Sequence, residues 1–342
     1  MQSVYKLIRL NRVVRNHRIK FAAVLLAHSL KLRHLFLRFD PVMACNLRCR
    51  MCYFSNDEYV RQIRGQFSQA EVERIAELFF PLTLQLVIGC GTEPTLYHDF
   101  PRLVRIAKRY RIPFVGFTTN AQMISEAQLG EFVDDKLDEL TVSVHGVRKE
   151  TYEHFMSNAS YGTLHTNLLA LERVKRDKRS TLPRLRINYT VNAENLGELP
   201  EFFQAFGEYS ISALQVRPIN DFGGEYRTML RGEDMAAYSA IVRELGNECR
   251  KRGITYLANL DDPQFLEPNT TSVILQAVRR HITPQIVWKP EFDWRNESYG
   301  DFCRRTKWSA NLRRLIYSDM DAVKRYNAGM WGEHSAKYDV IL

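Results

Sequence analysis

Short apolar runs alternate with longer amphipathic stretches through the first 250 residues of the chain. Leu35-Phe36-Leu37-Arg38-Phe39 and the runs at 84–88, 114–118, 140–144, 185–191 and 213–217 are too short for helices and are bounded by turn residues. They read as strands. Ser68-Gln69-Ala70-Glu71 has the form of a capping box. It opens a helix whose Val72, Ile75, Ala76, Leu78 and Phe79 share an apolar side. Further helices are predicted near 101–110, 125–134, 148–156 and 163–176, from Asn195, and at 233–252. Strands and helices in alternation, joined by short connections, argue for parallel βα units and an α/β fold. From about 253 the pattern weakens. Helices are expected near 271–281 and 318–328, on either side of a Trp- and Pro-bearing stretch at 287–294. There is no low-complexity segment, no Gly/Ser-rich linker and no repeat beyond the βα alternation.

The first 34 residues differ in charge from the rest. Lys6, Arg9, Arg12, Arg15, Arg18, Lys20, Lys31 and Arg33 meet no acidic residue before Asp40. Apolar residues interleave with them, so the segment reads as a basic amphipathic helical extension. Two placements follow: packed on the barrel by its apolar face, or laid on an anionic membrane. Its apolar run at 21–30 is broken by His28 and falls short of the roughly 18–20 residues a membrane span needs. No secretory signal stands out. The net charge of +9 and pI of about 9.2 suit an anionic substrate or surface as well as a merely basic exterior; nucleic acid is not favoured. Six cysteines in 342 residues do not make a disulfide scaffold, which points to a reducing, cytoplasmic setting.

Three of those cysteines, Cys45, Cys49 and Cys52, stand together directly after the first strand. Thiolates suit soft metals and iron–sulfur clusters. A 4Fe–4S cluster usually takes four cysteines, so three leave one iron open. Structural zinc sites usually add a second C-x-x-C knuckle or two histidines, and no second knuckle is present. Spacing alone leaves zinc and cluster both open.

The strand ends that follow carry the distinction. Cys45-Asn46-Leu47-Arg48-Cys49-Arg50-Met51-Cys52 resembles the C-x-x-x-C-x-aromatic-C motif of the radical S-adenosylmethionine (radical SAM) superfamily. Gly91-Thr92-Glu93-Pro94, after the second strand, resembles its GGEP motif. Thr119-Asn120 resembles TNG, Ser143-Val144-His145-Gly146 resembles SxDG, and Glu150-Thr151-Tyr152 with Asn188 and Asn195 resembles the later motifs. The resemblance covers about residues 35–225. It implies a partial (β/α)6 TIM-like barrel over 35–252, with the helical extension at 1–34 and a mostly helical region at 253–342 covering the barrel mouth. It implies one 4Fe–4S cluster on Cys45, Cys49 and Cys52, with SAM on the open iron. Glu93 then faces the SAM amino group, Tyr53 stands near adenine, Asn120 and Ser143 help hold SAM, Arg186 and Asn188 meet its carboxylate and ribose, and Val216 lines the adenine pocket. The sequence departs from the family at Met51, Thr92, Ala121 and His145.

Strand alternation places Thr141, Ser143 and His145 on one face. His145 is therefore a candidate for substrate or SAM contact or for a proton relay, against a purely structural histidine. Arg217 ends the sixth strand and is a candidate anchor for an anionic substrate. Cys90 reads as a buried thiol, and Cys249 and Cys303 are isolated, so a single cluster is expected. The resemblance implies an external one-electron donor of flavodoxin or ferredoxin type. It implies reductive cleavage of SAM to methionine and a 5′-deoxyadenosyl radical that acts on a lipid-like or anionic small molecule. A peptide-modifying maturase and a non-catalytic cluster-binding regulator are the alternatives.

Overall fold

The computed structural model describes residues 14, 16–219, 223–258, 277–285, 292–323 and 325. Most of the basic segment at 1–15, the first part of the helix expected at 271–281, most of the Trp- and Pro-bearing stretch and the end of the helix expected at 318–328 lie outside these residues.

Among the described residues, eight strands form one sheet: β1 (Leu35–Phe39), β2 (Thr83–Ile88), β3 (Phe114–Thr119), β4 (Glu139–Val144), β5 (Arg184–Val191), β6 (Ile211–Pro218), β7 (Thr255–Ala258) and β8 (Arg279–Ile282). Their spatial order is β7-β6-β5-β4-β3-β2-β1-β8, and every pairing is parallel. The six expected βα units build a partial TIM-like barrel, and one further short strand extends each edge. The helices are α1 (His17–Ser29), α2 (Asp57–Gln62), α3 (Gln69–Phe79), α4 (Phe100–Arg109), α5 (Glu126–Asp134), α6 (Lys149–Phe155), α7 (Tyr161–Asp177), α8 (Phe202–Phe206), α9 (Glu233–Lys251), α10 (Tyr299–Arg305) and α11 (Trp308–Tyr317). The capping box is formed: the Ser68 hydroxyl accepts from Glu71 N–H, and the Glu71 carboxylate accepts from Ser68 N–H.

The period-2 alternation of the strands divides two environments. Leu35, Leu37, Phe39, Ile88, Phe117, Val142, Ile187 and Val216 point outward and are buried under the helices. Phe117, for example, packs edge-on against Phe100 and tilted against Phe132, with ring centroids 4.8 and 5.0 Å apart. Each such side chain contributes about 1.5–3 kcal/mol by leaving water. Many of the inward alternates are polar or charged, including Arg38, Ser143, Arg186, Asn188, Gln215 and Arg217. This polarity marks the lumen as a working cavity rather than a second core.

Two expectations about the C-terminal region are corrected. Residues 279–282, inside the stretch expected to be helical, form β8. Arg279-Arg280-His281 offers no apolar run, so the strand leaves no hydrophobic signature. Arg280 instead faces outward over the rings of Tyr299 and Trp308, at 5.9 and 6.0 Å. The described C-terminal helices also do not cover the barrel mouth. They pack on α1 and the end of α3, where the outward face of β1 and β8 needs a cover. There Phe21 is buried, His17 bonds the Ser318 carbonyl, and Phe79 contacts Phe292 and Tyr299. Arg33 ties this layer to the sheet by donating to the carbonyls of Phe80, Thr83 and Tyr110 at 2.6–2.9 Å. No described helix is long and apolar enough to cross a membrane.

Candidate active site

The carboxyl ends of the strands in a parallel α/β sheet face outward as loops, and chemistry collects there. Here they enclose a cavity of ≈ 210 Å³. Its wall includes Cys45, Cys49 and Cys52 from the loop after β1, Gly91, Thr92 and Glu93 from the loop after β2, and Asn120 after β3. Ser143 and His145 close it from β4, Thr190 from β5 and Arg217 from β6.

The cysteine loop is clamped from two sides. Arg48 N–H and Arg50 N–H donate to the carbonyls of Ser157 and Phe155 past the end of α6, while the Arg50 carbonyl accepts from Tyr226 N–H of the loop after β6. Met51, where the family carries an aromatic, is buried with Phe155, Ile219 and Tyr226, and its sulfur accepts from Asn192 at 3.2 Å. An adaptable thioether fills the aromatic's place. All three cysteines are free thiols. Burial raises each pKa, that of Cys45 to about 12, and the thiols raise one another: Cys52 acts on Cys45, and both act on Cys49. Three half-buried thiols whose pKa values are raised stay neutral unless a positive centre compensates them. Among the described residues, no three such donors stand close enough to share one ion, the arrangement a mononuclear zinc site needs. Cys90 lines the same cavity, but its neighbours are Arg38, Asp40 and Arg279, and its thiol points to the Val87 carbonyl.

The loop after β2 hangs from Asp40, the residue that ends β1. Asp40 is buried. Its Oδ1 accepts from Cys90 N–H (2.7 Å), Gly91 N–H (3.2 Å) and the Thr92 hydroxyl (3.3 Å), and its Oδ2 meets His281 Nε2 at 2.6 Å. Burial works against the charged carboxylate, but His281 and the two amides outweigh it and the pKa is lowered. Tyr53 donates its hydroxyl to the Gly91 carbonyl. A Cβ at Gly91 would stand 2.8 Å from that hydroxyl oxygen, so a side chain there would displace the Tyr53 hydroxyl from the Gly91 carbonyl.

Glu93 is buried at the head of the next turn. Its Oε1 accepts from Thr95 N–H, the Thr95 hydroxyl and the Thr119 hydroxyl, and its Oε2 accepts from Asn120 N–H at 2.8 Å. Burial raises its pKa against these bonds. One lone pair of Oε2 is left for a further donor. The Asn120 side-chain amide donates to Asn46 Oδ1 at 2.8 Å, joining the β3 end to the cysteine loop. Ala121 takes a left-handed φ of +57°, the geometry for which the family carries glycine.

On the opposite wall, Asn195 knots the ends of β4 and β5 by donating to the carbonyls of His145 and Thr190 at 3.0 and 2.9 Å. Gly146 is required there, since a Cβ would lie 2.3 Å from Tyr152 N. Burial and the charge of Arg217 push the His145 pKa down to about 3, so the ring is neutral. Its Nδ1 is buried without a hydrogen-bond partner. Arg217 has no hydrogen-bond or ion-pair partner among the described residues; burial, Arg186 and Arg38 lower its pKa to about 10.

The structure thus brings Cys45, Cys49, Cys52, Tyr53, Gly91, Thr92, Glu93, Asn120, Ser143, His145 and Arg217 to one cavity. Four other candidates do not line it. Pro94 is buried at the start of a 3₁₀ turn. Val216 points outward into the core, because Arg217, its neighbour, takes the inward position. Arg186 and Asn188 lie deeper on the inner face, bonded to each other at 3.0 Å, with Arg186 also held by Gln215 and Glu139. Asp40, Thr119 and Asn192 were missed. Asp40 carried a readable signal as the polar residue directly ending the first strand.

A parallel partial barrel with a three-cysteine loop after β1 and a Gly-Thr-Glu-Pro turn after β2 defines a class. The radical SAM superfamily model matches residues 41–181, and this match supports membership of that superfamily. Its members use a 4Fe–4S cluster and SAM. Similar curated proteins include the probable GTP 3′,8-cyclase of Sulfolobus acidocaldarius, 23% identical over 189 residues, 55% of this chain and 56% of the relative. The GTP 3′,8-cyclase of Psychromonas ingrahamii is 33% identical over 119 residues, 34% of each chain. The chain spans about half or less of the length of the curated relatives it matches. Streptococcus suis SuiB bound to S-adenosylmethionine has a TM-score of 0.56 at 19% identity, over 73% of this chain and 58% of SuiB. Native anSMEcpe with bound AdoMet has a TM-score of 0.52 at 17% identity, over 65% of this chain and 64% of that one. At such identities the two structures bear on the fold alone.

Proposed function

We propose that this chain is a radical SAM enzyme that binds one 4Fe–4S cluster through Cys45, Cys49 and Cys52 and acts on a small molecule inside its barrel. The observation that carries the reading is the convergence of three mutually coupled thiols and the Glu93 loop on one cavity. Cluster and SAM together, once bound and reduced by a flavodoxin- or ferredoxin-like donor, supply one-electron cleavage of the sulfonium to methionine and a 5′-deoxyadenosyl radical. The chain's own residues bind and orient. Oε2 of Glu93 and the carbonyls of the Asp40-anchored loop receive the SAM ammonium. Tyr53, held on Gly91, and Ser143 border the rest of the cofactor. The loop at 223–230, bonded to Arg50, shields the cysteine loop from water.

The substrate class proposed is an anionic small molecule, given the arginines on the inner face. GTP, named for the curated relatives, is one compound to assay. We place the chain in the cytoplasm with peripheral membrane contact through α1. Ile19 and Leu26 on that helix and Leu30 just past its end are 58–60% exposed, with Arg18 and Lys31 beside them. Anaerobic reconstitution followed by reduction tests the proposal. Release of methionine and 5′-deoxyadenosine supports it. A protein that holds a cluster and leaves SAM intact is the non-catalytic regulator instead, and radical transfer to a peptide rather than a small molecule makes it a maturase.

A further inference from the structure

We propose that Arg217 and His145 together form the site that holds a phosphate or carboxylate of the substrate, on the wall of the cavity opposite Glu93. The inference rests on the reading of this cavity as a reaction chamber and goes on to assign its polar wall. Two independent observations meet there. The guanidinium of Arg217 has no acceptor among the described residues, and the Nδ1 atom of His145 is buried with no partner. Both side chains line the same cavity. A desolvated guanidinium without a hydrogen-bond acceptor and a buried ring nitrogen without a hydrogen bond are each costly, and such groups persist where a ligand completes them.

The nearby carboxylates are already engaged. Glu139 stands 3.6 Å from Arg186, Asp40 holds two amides, a hydroxyl and His281, and Glu93 accepts four hydrogen bonds. Arg217 faces the Cys52 thiol without a hydrogen bond to it, and its guanidinium N–H groups are left for an acceptor that enters from outside. A guanidinium fork matches two oxygens of one phosphate or carboxylate, and a neutral imidazole can donate a further N–H. Thr190, paired in register with Arg217 across β5 and β6, lines the cavity beside them with a hydroxyl.

SAM carries a carboxylate too, so the test separates the two sources. The anaerobically reconstituted, SAM-loaded protein is titrated with inorganic phosphate and with pyrophosphate by calorimetry, and SAM affinity is measured on the same samples. Losing a charge-assisted fork should weaken pyrophosphate binding by about tenfold or more in Arg217→Gln, with SAM affinity within about twofold of the parent. His145→Ala should weaken it by a smaller factor. The site is overturned if the parent protein binds neither anion, or if Arg217→Gln leaves anion binding unchanged. It is also overturned if SAM affinity is what falls tenfold, because the guanidinium then serves the cofactor. Should Arg217→Gln fail to retain the cluster, Arg217→Lys decides: charge without the fork must still weaken pyrophosphate binding. Anion binding through Arg217 in a protein that does not cleave SAM would sink the proposed function and keep this site. Cleavage without such binding would do the reverse.

Discussion

Asp40 is the residue on which the loop after β2 hangs, and Asp40→Ala tests that directly. The substitution removes the acceptor of two backbone amides and one hydroxyl, and the partner of His281, in a place closed to water. An unsatisfied buried donor costs about 1–3 kcal/mol, and breaking a buried charged pair costs about 3–5 kcal/mol. These terms overlap, so the expected loss is about 3–5 kcal/mol in urea unfolding rather than their sum. Asp40→Asn keeps an oxygen for the amides and should lose only about 1–2 kcal/mol. Because the anchored residues Gly91 and Thr92 line the cavity, SAM affinity measured anaerobically should fall in Asp40→Ala and largely survive in Asp40→Asn. An alanine variant within about 0.5 kcal/mol of the parent, with unchanged SAM binding, would refute the anchoring role.

Other expectations are as direct. Ala121→Gly relieves a left-handed alanine and should stabilise the protein by about 0.5–1 kcal/mol, read as a higher urea midpoint at constant slope; a fall would mean the strain estimate is wrong. His34 is buried beside His28 and Trp308 with its pKa depressed to about 4, first by burial. Its folded value lies below the unfolded 6.5, so the unfolded chain binds the proton first. Stability is full above pH 6.5 and is lost as pH falls toward 4, by about 1.4 kcal/mol at pH 5.5. His34→Gln should remove that share of the pH slope, and an unchanged slope would contradict the assignment. Vesicles containing anionic lipid should float the parent protein, whereas Leu26→Glu with Leu30→Glu should leave it in the pellet; equal flotation would rule out contact through α1.

The strands and most of the helices of the first 250 residues were legible because they have an apolar outer face of the right period; α2 was not, since none of its residues is buried. The capping box at Ser68 and Glu71 formed as its spacing required. The candidate metal ligands stood out because three cysteines in one loop are rare without a common task. What the chain hid was of two kinds. β8 is made of Arg279, Arg280 and His281, whose burial depends on aromatic and acidic partners far away in sequence. Asp40 acts through geometry: it gathers donors from a loop fifty residues on. Val216 was expected in the adenine pocket, but period-2 alternation gives the inward place to Arg217. That correction follows from register, which β5 and β6 fix only when paired.

The central claim is that Cys45, Cys49 and Cys52 hold a cluster that cleaves SAM. The measurement is iron content together with product formation in the anaerobically reconstituted protein under reduction. The account predicts about four irons per chain and matched amounts of methionine and 5′-deoxyadenosine, with both lost in Cys49→Ser. A chain that takes up no iron, or one whose Cys49→Ser variant cleaves SAM as well as the parent, would contradict it.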